Sequence, residues 1–503
     1  MSIETIVGER NLDALNGATF DLLVIGGGIV GAGVARDAAM RGLHTLLVDR
    51  ADFASGTSSK SSRLLHGGLR YLGQGRLGLV REASMEKMLL SRIAPHICQP
   101  LPFLFPVWRG VGVPLWQLSL GVRLYDLLCG GQNLGQSSTL GPDALIRIAP
   151  GLRRERLVGA TRHFDAQTND ARLVIDTLRS AEACGAVLRN YTTFVSGNRS
   201  GGNWDCEVRD GIGGNTTVLN ARSIVNAAGA WASRLPQSGI RLRLTKGCHA
   251  VFDRARLPIE EAIILTESNR ILFVIPWGER IILGTTDTDY EGDPADARTD
   301  SSDIGYILNV VNVAFPSAHL DETDVVSSWA GVRPLIAPRR STPGAPSEIS
   351  RGHVIQMTEP GWFDVAGGKL TTYRLMAEQS VDRVGSFLGR KLPKSLTAAR
   401  PLSRGPFSGV LPPPVGPDVV RECCRNEWAL HLDDVLLRRT SWHFYHSNRD
   451  SIAERSAAWM GEELGWSHDE QFQELDRYRS LIKQMVQDAG KNNLGQDSRD
   501  SQD

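Results

Sequence analysis

The sequence predicts an α/β protein of two or three domains, with a parallel sheet first and a mixed or antiparallel sheet after it. Three observations carry this. A strand, glycine turn, helix and second strand follow one another from Phe20 to Asp49. Strand pairs separated by turn residues (LTKGCHAVF, AIILT, ILFVIPW, RIILGTTD) fill Arg241 to Val326. At 503 residues the chain is also too long for one ordinary core.

The first unit reads FDLLVIGGGIVGAGVARDAAMRGLHTLLVD, and its turn carries Gly26-x-Gly28-x-x-Gly31. Gly26 permits the tight turn out of the strand. Gly28 has no side chain, so a pyrophosphate can approach the backbone. Gly31 lets the helix pack close to the sheet. The helix N-terminus offers unpaired N–H groups and a positive dipole end to phosphates. Asp49 closes the second strand about twenty residues on, where a carboxylate accepts from the hydroxyls of an adenosine ribose. Strand, glycines, helix and acid in this order predict a bound dinucleotide.

Composition bounds the rest. Hydrophobic residues make up 41% and charged residues 22%, as in a soluble globular protein. The 56 basic and 56 acidic residues cancel, which gives no support to a nucleic-acid partner. Seven cysteines, without C-x-x-C spacing, argue against a disulfide framework and a zinc site, and no metal is expected. The adjacent Cys423 and Cys424 read as buried thiols in a helix. The N-terminal stretch lacks the order of a signal peptide, and no run of apolar residues is long enough to span a bilayer. The expected compartment is the cytosol.

Along the chain, Ala51 to Ala83 begins too rich in Ser, Thr and Gly to be a core element, and suits a loop lying against a phosphate-bearing ligand. A surface loop would explain Lys60 and Arg63 as solvated charges, whereas His66 and Arg70 read as facing a ligand. Residues 85–93 predict a helix, and Pro95 to Trp108 an extended segment. Val113 to Leu128 predicts an apolar helix, either buried, the commoner case, or dipping into a membrane interface. Asp170 is expected to cap a helix from Ala171 to Cys184 that Gly185 ends. Val187–Tyr191, Trp204–Arg209 and Thr217–Leu219 read as a three-stranded antiparallel excursion. The β-branched run before Ala227-Ala228-Gly229 suits a buried parallel strand whose end meets a ligand. Lys246 and His249 stand at a strand start, and Arg333 precedes a proline in extended backbone. Phe363 to Arg374 repeats the strand, glycine turn and helix start. Pro401 to Pro417 reads as a linker, residues 418–488 as helices, and the polar last dozen residues as disordered.

Taken in order, IGGGIVGAGVARDAAMRGL, TSSKSSRLLHGGLRYL, DAQTNDARL, VNAAGAWA, TKGCHAVF, FVIPW with ILGTTD, WAGVRPL and GGKLTTYR resemble the FAD-dependent glycerol-3-phosphate dehydrogenase family of flavoenzymes. The resemblance covers roughly residues 20 to 390. It implies an α/β protein: a glutathione-reductase-like FAD-binding Rossmann domain interleaved with an antiparallel-sheet substrate domain, plus a short C-terminal helical domain. On this reading, residues 20–95, 155–240 and 325–390 bind FAD, and 96–154 with 241–324 form the substrate or cap domain. A linker (391–417), the helical domain (418–490) and a disordered tail (491–503) follow. Leu432 to Thr440 resembles a motif of the family's C-terminal domain, although the helices that usually precede it are largely missing.

The implied reaction oxidises sn-glycerol 3-phosphate to dihydroxyacetone phosphate, with hydride from C2 to flavin N5 and electrons passed on to a membrane quinone, or to oxygen in oxidase relatives. The cofactor contacts implied are Gly26, Gly28, Gly31 and Asp49; Thr57, Ser58, Ser59, Ser62, His66, Gly67 and Gly68; Ala228 and Gly229; and Gly368, Lys369, Leu370 and Thr371. A dianionic phosphate needs fixed cations, and arginine offers a planar fork matched to it. Arg70 with Tyr71 is assigned to the phosphate, Arg333 and Lys369 to the carbon being oxidised, where cations stabilise a developing alkoxide, and Thr371 is a further substrate contact. The base that takes the hydroxyl proton is His66 or His249, with a lean to His66. The resemblance also implies peripheral contact with the inner face of the cell membrane, through Val113–Leu128 or the C-terminal helices, and allows a homodimer. Two rivals stand beside it: a related flavoenzyme acting on another polyol phosphate, a hydroxy acid or an amine, and a flavin-binding module without catalysis.

Overall fold

Leu22–Ile25 and Thr45–Val48 are apolar apart from Thr45 and lie fully inside the molecule, because both faces of their sheet are covered. The structure, a computed structural model, describes residues 12–131, 133–267, 270–337 and 352–485, apart from the side chain of Arg70. The expected disordered tail lies outside the described residues.

The sheet has six strands, in the order His353–Glu359, Trp362–Gly367, Ile224–Asn226, Leu22–Ile25, Thr45–Val48 and Val187–Arg189. All neighbours are parallel except the first pair. Helices Ile29–Met40, Asp170–Glu182 and Tyr373–Phe387 pack their apolar sides on one face, against Leu22, Val24 and Leu47. A four-stranded sheet, bringing Phe194, Trp204 and Leu219, covers Leu23, Ile25 and Leu46 on the other.

That small sheet corrects one expectation. Its antiparallel strands are Thr192–Ser200, Asn203–Asp210 and Thr216–Ala221, and Val187–Arg189 belongs to the parallel sheet instead. The predicted run breaks at Tyr191, whose φ of +50° turns the chain out of one sheet into the other. The helix cap is shifted as well. Asn169 Oδ1 accepts from Arg172 N–H at 3.2 Å, while Asp170 accepts from Ser61 N–H at 2.9 Å and ties the helix to the Ser-rich loop.

The second sheet has ten strands and is antiparallel except where Ala262–Glu267 pairs with Cys98–Trp108. Near one edge, Leu242–Asp253 pairs with Val325–Ile336 on one side and Arg280–Gly284 on the other. The proline-rich Cys98–Trp108 is extended, as its sequence predicts, and pairs along its length with Leu157–Thr168. Arg63, expected to be solvated, is 2% exposed, with its guanidinium 4.4 Å from the Trp277 ring centroid. Aromatic faces and Ser441 Oγ replace the water that a charge in a polar loop would otherwise need.

The predicted apolar helix forms at Leu115–Leu128, but it is not buried. Only Val122 and Tyr125 face inward, while Trp116, Leu120 and Leu127 are 71%, 63% and 69% exposed. Composition makes the helix apolar all round, yet the tertiary structure covers one side of it.

Helices Pro417–Asn426, Arg449–Leu464 and His468–Met485, with a π-helical turn at Asp434–Arg439, share a core of Cys423, Cys424, Leu436, Trp442 and Met460. The two thiols are free and buried. Pro401 to Pro417 is irregular up to the helix start, but it is strapped down rather than loose. Leu402 N–H donates to Ile93 O, and the indoles of Trp277 and Trp442 donate to Val410 O and Pro413 O.

Candidate active site

The two glycine turns of the parallel sheet and strands of the second sheet open into one cavity of ≈ 1290 Å³. That exceeds the roughly 300–1,000 Å³ of an ordinary small-molecule pocket. Its lining includes Gly26, Gly28, Asp49, Thr57, Ser58, Ser62, His66, Gly68, Tyr71, Ala228, Gly229, His249, Arg333, Gly368, Lys369 and Leu370.

At the first turn, each glycine has a measurable reason. A Cβ on Gly26 would lie 2.6 Å from Ala227 O, and one on Gly31 only 1.9 Å from Gly26 O. Gly31 therefore sets how closely helix and strand approach, and does not itself line the cavity. Gly28 is different, since its Cβ direction meets nothing closer than Ser58 Oγ at 3.2 Å and otherwise faces open space. Ser58 Oγ accepts from Ile29 N–H at 3.0 Å, so one free donor of the helix N-terminus is already matched by this loop. The Asp49 carboxylate accepts from Gly27 N–H at 2.6 Å and Ala51 N–H at 2.9 Å. Burial outweighs these bonds and pushes its pKa up to about 6. Asp49 thus fixes the shape of the turn as well as facing the cavity.

At the second turn, Gly367 and Gly368 hold φ of +74° and +77°, which reverses the chain between the Trp362–Gly367 strand and the following helix. Lys369 projects from this turn with Nζ 4.3 Å from the Tyr71 ring centroid. Gly68, at φ +84°, must be glycine here, because a Cβ would lie 2.8 Å from that Nζ and 2.6 Å from the Tyr71 ring. Thr371 does not line the cavity. Its hydroxyl instead accepts from His66 N–H at 3.1 Å and donates to His66 O at 3.2 Å, clamping the histidine backbone to the second turn.

Arg333 and His249 come from the second sheet. The Arg333 guanidinium lies over Gly247, donating to Thr285 Oγ1 at 2.8 Å and pairing with Asp287 at 3.2 Å. His249 is stacked on Trp329, with its Nε2 2.7 Å from Ser62 Oγ. Burial, with Arg333 and Arg63 nearby, pushes its pKa down to about 3. The imidazole is therefore neutral and already engaged by Ser62.

Ser59 and Gly67, expected as cofactor contacts, do not line the cavity. Ser59 is buried in the Thr57–Ser59 turn, and Gly67 is backed against Tyr125. The backbone of Arg70 lies in the Leu69–Tyr71 turn, and its side chain lies outside the described residues. Sequence reasoning missed Arg50, Lys60, His163, Asp165 and Trp231, all of which line the cavity. Lys60, Asp165 and Trp231 carried a signal, since they lie in the TSSKSSRLLHGGLRYL, DAQTNDARL and VNAAGAWA runs. No cluster able to hold a metal ion occurs among the described residues.

Residues 21–374 match the FAD dependent oxidoreductase family, and residues 418–471 match the C-terminal domain of alpha-glycerophosphate oxidase. A glycerol-3-phosphate dehydrogenase of Mycobacterium leprae is 40% identical over 388 residues, 75% of this chain and 65% of the relative. An aerobic glycerol-3-phosphate dehydrogenase of Staphylococcus epidermidis is 35% identical over 425 residues, covering 81% of this chain and 75% of that one. The chain belongs to the FAD-dependent glycerol-3-phosphate dehydrogenase family. A crystal structure of the glycerol-3-phosphate dehydrogenase from Bacillus halodurans, complexed with FAD, superposes with a TM-score of 0.76. It is 28% identical, with 96% of this chain and 98% of that one covered. The chain spans 65% of the length of the mycobacterial relative.

FAD is accordingly its cofactor, and the cavity fits the group. The open space above Gly28 suits the pyrophosphate, at the N-terminus of the Ile29–Met40 helix. Asp49 and the Gly367-Gly368 turn line the same cavity, where they would hold the ribose and the ring system. Arg50, whose guanidinium lies 4.5 Å from the Trp231 ring centroid, lines the same cavity beside Asp49.

Proposed function

We propose that this chain oxidises sn-glycerol 3-phosphate to dihydroxyacetone phosphate and passes the electrons on to a quinone. The observation that carries this reading is that Arg333, Lys369 and Tyr71, with His66 and His249, line the same cavity as the two glycine turns. Holding FAD alone does not call for Arg333, Tyr71 or His249.

Bound FAD supplies the acceptor for the hydride leaving C2. The chain supplies the rest. Arg70 and Tyr71 hold the substrate phosphate. Lys369, braced on the Tyr71 ring, and Arg333, braced on Thr285 and Asp287, lie at the reacting hydroxyl and favour its ionised form. Asp287 offsets part of the Arg333 charge, so a dianionic ligand gains most from the two cations acting together. His66 takes the hydroxyl proton, because His249 is held neutral with a pKa near 3 and is a poor proton acceptor.

The acceptor side rests on apolar side chains of the same cavity. Phe103, Phe105, Trp108, Leu118, Leu120 and Phe273 line it, and they give glycerol phosphate nothing to bind. An apolar ring compound suits that lining. Leu118, Leu120 and Leu124 bring the Leu115–Leu128 helix to the cavity, and its exposed Trp116, Leu120 and Leu127 stand with Arg123 on the surface. Apolar side chains flanked by a cation suit peripheral contact with an anionic lipid surface. No helix among the described residues is long and apolar enough to cross a membrane.

Substrate choice tests the reading. The FAD-loaded chain is expected to prefer sn-glycerol 3-phosphate to glycerol by about 10⁴-fold in kcat/KM, as a site with buried cations left unpaired requires. A hydroxy acid or an amine turned over faster than glycerol phosphate would overturn it.

A further inference from the structure

Against the His66–Tyr71 segment lies a polar hub that reaches the cavity at Asp165 and that the reaction as described does not use. Lys87, fully buried on the Leu77–Ile93 helix, places Nζ 2.8 Å from Asp165 Oδ1 and 2.9 Å from both Phe164 O and Asn133 Oδ1. Tyr125, fully buried on the inner side of the exposed apolar helix, donates to the same Asp165 Oδ1 at 2.5 Å. The tyrosine oxygen in turn accepts from Gly67 N–H at 2.8 Å. A Cβ on Gly67 would lie 2.4 Å from that oxygen, so the glycine is there to let the hub reach the backbone.

Strand register puts Asp165 beside His66. Leu64 lies opposite Gln167 and Leu65 opposite Ala166, so His66 and Asp165 are the next residues past the end of this ladder, and Gly67 N–H points to Asp165 Oδ1 at 3.5 Å. Both side chains line the cavity. Burial raises the Asp165 pKa, but Lys87, His163 and His66 outweigh it and hold the carboxylate below its usual range. Asp165 is thus a fixed negative charge, with Oδ1 committed to Lys87 and Tyr125.

We propose that Asp165, gripped by Lys87 and Tyr125, is the positioning residue that fixes the His66–Tyr71 segment and makes His66 the proton acceptor. The inference rests on the proposed oxidation for its meaning, since a proton acceptor is needed only if a hydroxyl is oxidised. Asp49, Lys60, His249, Asp287 and Arg333 are among the ionisable groups elsewhere on the cavity wall, whereas those of the hub and of the adjoining Gly68 turn are Asp165, His163, Lys87, Tyr125, Tyr71 and Lys369. Of the latter, Asp165 is the one that raises imidazole basicity.

The test titrates His66 by NMR in the full FAD-loaded chain with labelled histidine, assigned through His66→Gln, alongside the pH profile of kcat/KM. Asp165→Asn is expected to lower the His66 pKa by about one unit, to move the acid limb of the profile down by the same amount, and to cost about tenfold in kcat/KM. Tyr125→Phe keeps the Lys87–Asp165 pair and serves where Asp165→Asn does not fold. It is expected to cost a similar factor at every pH, with the His66 pKa and FAD affinity unchanged. The proposal is overturned if Asp165→Asn folds and leaves the His66 titration in place. If Asp165→Asn does not fold, a Tyr125→Phe rate within twofold of the parent overturns it. Failure of the parent chain to oxidise glycerol phosphate would sink the functional reading instead, while the titration would still decide the role of Asp165.

Discussion

Asp52 and Arg439, 387 positions apart, form a buried bidentate ion pair with Nη–O distances of 2.6 and 2.8 Å. Asp52 also accepts from Arg438 Nε at 2.5 Å, and Arg438 pairs further with Asp433 and Asp434. The C-terminal helices are thereby locked to the loop that follows Asp49. Removing one partner leaves buried charge uncompensated, which costs about 3–5 kcal/mol. Asp52→Asn is expected to lower the melting temperature of the chain and to increase proteolysis between residues 401 and 449. An unchanged melting temperature would contradict the clamp.

The two inner glycines separate folding from cofactor binding. Gly31→Ala drives a Cβ to 1.9 Å from a backbone carbonyl and is expected to abolish both the fold and FAD binding. Gly28→Ala meets only a hydroxyl at 3.2 Å, so the chain is expected to fold with circular dichroism unchanged and FAD affinity reduced at least tenfold. Equal affinity in the Gly28 variant would place the pyrophosphate elsewhere.

Acid sensitivity has an identifiable source in His443. Burial holds its pKa near 3 in the folded chain, against about 6.5 unfolded. Between these values the unfolded state binds the extra proton, so folding stability falls as pH falls from 6.5 toward 3. Each such histidine contributes about 1.4 kcal/mol per pH unit in that window. Urea unfolding at pH 7, 6 and 5 is expected to show a shallower pH slope for His443→Gln than for the parent, by about this amount. Parallel slopes would refute the assignment.

The uncovered helix makes a surface prediction. Trp116 and Leu127 are exposed and do not line the cavity. Sedimentation with phosphatidylglycerol vesicles is expected to capture the parent chain, and to capture the Trp116→Glu, Leu127→Glu variant at least tenfold less, because two apolar side chains are worth about 3 kcal/mol or more on burial. Reduction of bound FAD by substrate in solution is expected to stay the same. Equal sedimentation of both proteins would remove this helix as the lipid contact.

What could be read from the sequence was what is local. The Gly26 to Asp49 unit and the Gly367-Gly368 turn announce themselves because turn, helix and acid lie within one short segment. Arg63 was misjudged because the aromatic rings that shelter it, Trp277 and Trp329, arrive only when two sheet strands pair. Asp52 gave no signal, as its partners stand at the other end of the chain. The Leu115–Leu128 helix was legible as apolar, but whether another layer covers it is a property of the whole fold. Thr371 and Gly67 sit in matching motifs, yet they hold His66 in place from behind rather than facing the cavity.

The central claim is that the cavity joins FAD to a phosphate-bearing alcohol held by Arg333 and Lys369. Anaerobic addition of sn-glycerol 3-phosphate to the FAD-loaded chain, followed by loss of oxidised-flavin absorbance, tests it most directly. The account predicts stoichiometric bleaching in the parent chain and bleaching slowed by about 10²–10³-fold in Arg333→Ala, with FAD still bound. A parent chain that retains FAD and stays oxidised, or an Arg333→Ala variant that bleaches at the parental rate, would contradict it.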